Sequence, residues 1–280
     1  TNGAGGQGII VITYTPVVAA PPTVSNVVLN NSIAITLNPN ATTSITAKAS
    51  TTDAQGPGDI SYATSTVYRS GVSGGSNCTA SNLNCYQLSS SSCSFADSTS
   101  TVLCTAQIYY FADATDASSS YSSQNWLAKI TVTDAAATAG SSSTLSGVEL
   151  NTLLAIEIAT SSINYGTVNA GANTGSTNQT TTIANAGNAS TTLQINGTAL
   201  TFGSNVVTTS SQRYATSSFT FGGSEQLLQS TATNVAGFLL TSPTSTNAVS
   251  SPIFWGVEIP AGRPTGTYSG TNTFTAVFNP

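Results

Sequence analysis

Trp126-Leu-Ala-Lys-Ile-Thr-Val-Thr133 alternates apolar and polar residues. That two-residue period belongs to a strand with one face in a core. Trp126, Ala128, Ile130 and Val132 share the apolar face. Thr43-Ser-Ile-Thr-Ala-Lys-Ala49 and Thr273-Phe-Thr-Ala-Val-Phe278 alternate in the same way. Helical periodicity is nearly absent, because Ser, Thr, Gly and Asn interrupt every candidate run. Short strands separated by frequent turn residues predict an all-β chain of sandwiches.

The chain has 280 residues, enough for two domains. Charged residues are 5 % of it, against roughly a quarter in an average soluble domain. Ser and Thr total 89 and Asn 23, so the surface is built of hydroxyls and amides. Ten Tyr, nine Phe and two Trp separate the chain from disordered sequences, which lack aromatics. Five scattered cations and a net charge of −5 exclude a phosphate-binding track, and with it nucleic acid. No apolar run approaches the roughly 20 residues of a membrane helix. The start at Thr1-Asn-Gly-Ala-Gly-Gly6 suggests a processing site or a truncated chain.

Cys78, Cys85, Cys93 and Cys104 are spaced C-x₆-C-x₇-C-x₁₀-C, with no histidine in the chain. Zinc knuckles use tighter pairs. Two disulfides in an oxidising compartment are expected instead. Three pairings are possible, and the local one, Cys78–Cys85 with Cys93–Cys104, is the expectation.

The chain divides into three parts. Residues 1–20 hold a Gly-rich lead, a strong strand and a Pro-bounded linker. Residues 21–148 form a first β-domain with a disulfide-stapled insertion over about 70–104. Residues 149–280 form a second. Within this second domain, Ile163-Asn-Tyr-Gly-Thr-Val-Asn-Ala-Gly-Ala172, Thr180-Thr-Thr-Ile-Ala-Asn-Ala-Gly-Asn188 and Ile259-Pro-Ala-Gly-Arg-Pro-Thr-Gly-Thr-Tyr-Ser-Gly270 resemble immunoglobulin-like modules of bacterial and archaeal surface proteins. Ile130-Thr-Val-Thr-Asp134 resembles the closing strand of cadherin-like and PKD-like modules. The resemblance implies two immunoglobulin-like β-sandwich domains behind an N-terminal extension strand. A fold does not by itself give a function.

Without histidine, Ser-His-Asp and Cys-His catalysis are excluded. No carboxylate pair is marked for glycosidase chemistry, so no catalytic residue is assigned and an enzyme is not expected. Asp53, Asp113, Asp116 and Asp134 are weak calcium candidates, since hard oxygen ligands on loops suit Ca²⁺. Asp53 and Asp59 bracket a Gly-Pro-Gly loop. Aspartate is also an ordinary turn residue, so no cofactor is assigned. Sequons occur at Asn30, Asn40, Asn77, Asn178, Asn188 and Asn196. Chance predicts about seven at this composition, so the count is no enrichment, although a secreted glycoprotein would use such sites.

Gly8-Ile-Ile-Val-Ile-Thr-Tyr-Thr-Pro16 is the sharpest local feature. It is uncharged and strongly β-prone. Its apolar residues fall on both faces, so left unpaired it is an aggregation hazard. It reads either as the first strand of the first domain, or the remnant of an upstream Gly-rich domain, or as a strand given to another subunit. Ile9, Ile10, Val11, Ile12, Thr13 and Tyr14 would then be the polymerisation strand. The chain resembles subunits of extracellular filaments built from immunoglobulin-like domains, of the kind found in archaeal threads and donor-strand pili. That resemblance implies a cell-surface homopolymer whose partners are copies of itself. The alternatives are an adhesin or carbohydrate-binding stalk, with Tyr86, Tyr109, Tyr110, Phe111 and Tyr121 stacking on sugar, or an S-layer-like lattice component.

Overall fold

The computed structural model describes residues 8–13, 19–96, 100–160 and 162–279. The chain is all-β, built of antiparallel sheets. Among the described residues no helix is long and apolar enough to cross a membrane.

Among the described residues the first unit has eight strands: β1 (Thr23–Leu29), β2 (Thr42–Thr52), β3 (Ile60–Arg69), β4 (Cys85–Leu88), β5 (Cys93–Ala96), β6 (Thr101–Tyr109), β7 (Trp126–Asp134) and β8 (Ala139–Ser143). One sheet has the order β1-β2-β6-β5 and the other β4-β3-β7-β8. These are the A-B-E-D sheet and the C-F-G sheet of an immunoglobulin-type sandwich, with one strand added beside C. The alternation in β7 is used as the sequence predicts: Trp126, Ala128, Ile130 and Val132 are all fully buried. The Trp126 indole N–H donates to the Asp113 carbonyl at 3.0 Å. Residues 135–144 supply the turn and second strand of the β7–β8 hairpin.

The cysteine-rich stretch is no insertion outside the sandwich. Strand β4 pairs with β3 and β5 with β6, so the stretch supplies an edge strand to each sheet. Cys93 bonds Cys104 directly across the β5–β6 ladder, and Cys78 bonds Cys85 at the start of β4. In a chain-entropy account, each loop of this size contributes about 2–3 kcal/mol. Replacing Cys93 and Cys104 together by alanine is therefore expected to lower the stability of the first unit by that amount, read by urea unfolding. A change below about 0.5 kcal/mol would mean that the β5–β6 edge is held by its ladder alone.

The second unit contains β9 (Ile156–Ile158), β10 (Gln179–Asn185), β11 (Thr191–Gly197), β12 (Leu200–Phe202), β13 (Asn205–Val207), β14 (Gln212–Ala215), β15 (Gln226–Leu227), β16 (Thr233–Asn234), β17 (Ser250–Val257) and β18 (Asn272–Phe278). Its sheets run β15-β14-β17-β10-β9 and β16-β11-β18, with β12 and β13 as a separate hairpin. Its core holds Trp255, Tyr214, Ile183, Leu193, Ile195 and Ile253.

The stretch from Glu149 to Thr152, which the sequence division assigns to the second domain, is tied to the first. Leu150 is fully buried in the first core, and Ile35 hydrogen-bonds Glu149 and Asn151 at 2.7 and 2.9 Å. The joint between units is polar. Asn188 Nδ2 donates to the Ala112 carbonyl at 3.0 Å, and Asn188 Oδ1 accepts the Leu153 N–H at 2.6 Å. Gly187 sits there because a Cβ would lie 2.0 Å from the Leu153 carbonyl oxygen. This explains the Asn-Ala-Gly-Asn signature in structural terms.

Candidate functional site

Residues 8–13 lie outside every strand. Ile9, Ile10, Val11 and Ile12 are 89, 87, 81 and 84 % exposed. The first domain begins instead with β1 at Thr23. The segment is thus not that domain's first strand, which corrects one of the sequence readings. Tyr14 lies outside the described residues. Four consecutive aliphatic side chains in water are costly: burying each is worth about 1.5–3 kcal/mol. Contiguous exposed apolar surface of this kind marks an interaction site.

The second feature is a sheet edge. The two units match strand for strand by position: β1 with β9, β2 with β10, β3 with β11, β6 with β17 and β7 with β18. In the first unit β8 covers the outer edge of β7. Among the described residues nothing covers β18 in the same way. The consequence shows in the burial. The inward residues of β7 are fully buried, whereas Phe274, Ala276 and Phe278 on β18 are only half-buried.

Beside that edge lies an open groove of about 930 Å³. One wall is the strandless stretch 163–170, carrying Ile163, Tyr165 and Val168. The other is residues 263–274, ending at Phe274. Leu200 and Ile259 line it as well. Interiors normally close to crystal-like density, so an opening of this size against a core, with apolar side chains at its base and Ser, Thr and Asn along its walls, is a place for something to bind. The Tyr165 hydroxyl donates to Gln212 Oε1 at 3.2 Å, and burial pushes its pKa above the ordinary tyrosine value.

The free edge can be read residue by residue. Thr271 N–H donates to Thr198 Oγ1 and Asn279 N–H to the Ser190 carbonyl, both on the β11 side. Antiparallel strands alternate their bonding direction. Asn272, Phe274, Ala276 and Phe278 therefore turn both N–H and C=O outward, away from β11. Sequence reading located β18 but missed this groove, because its walls come from stretches about a hundred residues apart.

The other predicted residues fall elsewhere. Carboxylate oxygens of Asp53, Asp59 and Asp134 lie within 4.8 Å of one another at the end of β2, the start of β3 and the end of β7. The Thr138 hydroxyl donates to Asp134 and holds that carboxyl below the usual carboxylate range. Asp113 and Asp116 do not join them. Asp113 pairs with Arg69 at 3.0 Å, and Asp116 accepts from the Thr152 hydroxyl and N–H at 2.6 and 2.7 Å. Of the sequon asparagines, Asn40 and Asn77 are exposed; Asn30, Asn178 and Asn196 are half-buried; and Asn188 is buried in the joint with its amide in use. Tyr86, Tyr110 and Phe111 are buried, and Tyr121 lies beneath Arg69, so they do not form a stacking platform for sugar.

No family model and no curated protein matches the chain. Among solved structures it is similar to one described as a chaperone–tip adhesin complex vital for synergistic activation of CFA/I fimbriae biogenesis. The identity is 11 % over 92 % of this chain and 84 % of that one, with a TM-score of 0.29. It is also similar to Escherichia coli alpha-2-macroglobulin activated by porcine elastase, at 11 % identity over 95 % of this chain and 22 % of that one, with a TM-score of 0.22. At such scores neither similarity bears on what this chain does.

Proposed function

We propose that the protein is a structural subunit of an extracellular surface filament, in which each copy donates the strand-forming segment around Gly8–Thr15 to another copy. The observation that carries this reading is the exposure of Ile9, Ile10, Val11 and Ile12, each above 80 %. A β-prone segment with no sheet of its own gains most by adding to the edge of another. Head-to-tail contacts of this kind do not close, so they build a fibre. The two disulfides suit an oxidising, extracellular compartment. A surface of hydroxyls and amides packs against copies of itself without stripping water from ions, which is expensive. The role is structural rather than catalytic. The adhesin alternative would need a sugar platform that does not use Tyr86, Tyr110 and Phe111, which are buried.

Deleting residues 1–16 is expected to leave folded monomers that no longer polymerise. Electron microscopy and sedimentation of both proteins provide the check. Filaments from the truncated chain would end this reading, and a two-dimensional lattice from the full chain would replace the fibre with an S-layer-like sheet.

A further inference from the structure

Building on the strand-donation reading, we infer that the acceptor is the outer edge of β18 and the groove beside it. The occupant is residues 8–13 of a second copy, running antiparallel to β18. It takes the place that β8 holds on β7 in the first unit.

Three observations meet here. First, among the described residues the β16-β11-β18 sheet is one strand shorter than its counterpart β4-β3-β7-β8, and the shortfall is at the β18 edge. Second, the side chains under that edge are half-buried where those of β7 are sealed. Third, the edge presents outward backbone groups at Asn272, Phe274, Ala276 and Phe278, alongside a groove lined by Ile163, Tyr165, Val168 and Phe274. Residues 8–13 extend over about 20 Å at the usual strand rise, close to the length of β18. Their outward amides complete the ladder, and one alternating set of aliphatic side chains fills the groove.

A second copy is required by geometry. The donor enters the first unit at Thr23, which pairs with Thr52 at one end of β2. The second unit is joined at the other end of β2, where Asn40 bonds Ala186. Strand β2 is about 33 Å long, and Phe274 lies further on, four ladder positions from the joint-side end of β18 at Phe278. The chain from Thr13 to Thr23 reaches at most about 36 Å. Donor and acceptor therefore sit at opposite ends of one molecule, the arrangement that propagates.

Cross-linking tests the assignment. Thr275 is exposed on the outer face of β18, at a position whose own backbone bonds run to β11. It would therefore form a non-hydrogen-bonded pair with a strand added outside, the pair in which side chains approach most closely. The native Cys93–Cys104 bridge, with 4.0 Å between Cα atoms, shows that adjacent strands of this protein accept such a link. Thr275→Cys is combined in turn with Ile9→Cys, Ile10→Cys, Val11→Cys and Ile12→Cys in the full chain. Mild oxidation is expected to give a reductant-sensitive ladder of multimers from one alternating pair of positions and little from the other. Filaments without a ladder from any of the four place the acceptor elsewhere and leave strand donation standing. A cross-linked monomer alone means that the segment occupies its own groove and overturns the assignment.

If the unaltered chain makes no filaments, strand donation itself falls. The acceptor is then judged separately, by adding a synthetic peptide of residues 8–15 with Ile10→Cys, and its Val11→Cys counterpart, to Thr275→Cys protein lacking residues 1–16. An adduct with one peptide supports the groove. No adduct with either rejects it. Ala276→Pro removes one outward N–H while sparing the β11 ladder, and it is expected to reduce adduct formation at least tenfold.

Discussion

Aspartate at alternate positions of the donor segment is expected to raise the critical concentration for filament assembly about a thousandfold, for one pair only. The pairs are Ile9→Asp with Val11→Asp, and Ile10→Asp with Ile12→Asp. In a strand they point to opposite faces. The pair facing the groove loses the burial of two aliphatic side chains, about 1.5–3 kcal/mol each. At about 1.4 kcal/mol per decade, that loss alone spans roughly two to four orders of magnitude. Taking two carboxylates out of water adds to it. The other pair faces outward and should shift assembly by about tenfold or less, since surface changes rarely exceed about 0.5 kcal/mol. Folding of the monomer should not change for either, because these side chains are more than 80 % exposed. Pelleting across a concentration series measures the first effect, and a thermal melt measures the second. Assembly unchanged in both double variants would show that the segment is not the donor.

The same segment shows what sequence can say. Ile9 to Ile12 are legible as strand-forming, but a strand is a pairing, and pairing depends on a partner that the local sequence does not encode. The alternation of Trp126–Thr133 and of Thr273–Phe278 was legible because one-sided burial writes itself into every second residue. The depth of burial was not. Both strands carry the same period, yet only β7 is sealed, since sealing depends on β8. The stretch 70–104 reads as an excursion because β4 and β5 are short edge strands flanked by serines, and edges are kept short and polar. Leu150 belongs to the first core through Ile35, and no local pattern records that contact across the chain. The groove is hidden for the same reason.

Arg69→Met is expected to destabilise the first unit by about 3–5 kcal/mol, the cost of leaving a partly buried charge without its partner. Asp113 was legible only as a loop aspartate and a weak calcium ligand. The structure gives its carboxylate to Arg69 Nε at 3.0 Å and to Asn84 Nδ2 at 3.0 Å. The guanidinium also bonds Gln124 Oε1 and lies 3.7 Å over the Tyr121 ring. The side chains of Arg69 and Asp113 are 8 and 13 % exposed, so solvent screens them little and the loss should persist in high salt. Arg69→Lys should recover only part of it, because an ammonium offers neither the planar fork nor the stacking face. Arg69→Met with Asp113→Leu should be more stable than Arg69→Met alone, because the orphaned carboxylate is then gone. Asp113 also holds the joint. Its carbonyl accepts the Trp126 indole N–H, and its neighbour Ala112 accepts from Asn188 of the second unit. Arg69→Met should therefore increase proteolysis at 112–116 and at 186–188 together, whereas a purely local defect would expose only the first. Urea unfolding of the three variants, followed by limited proteolysis, separates these outcomes. If the double variant is no more stable than Arg69→Met, the arginine acts through its stacking on Tyr121 rather than through the ion pair.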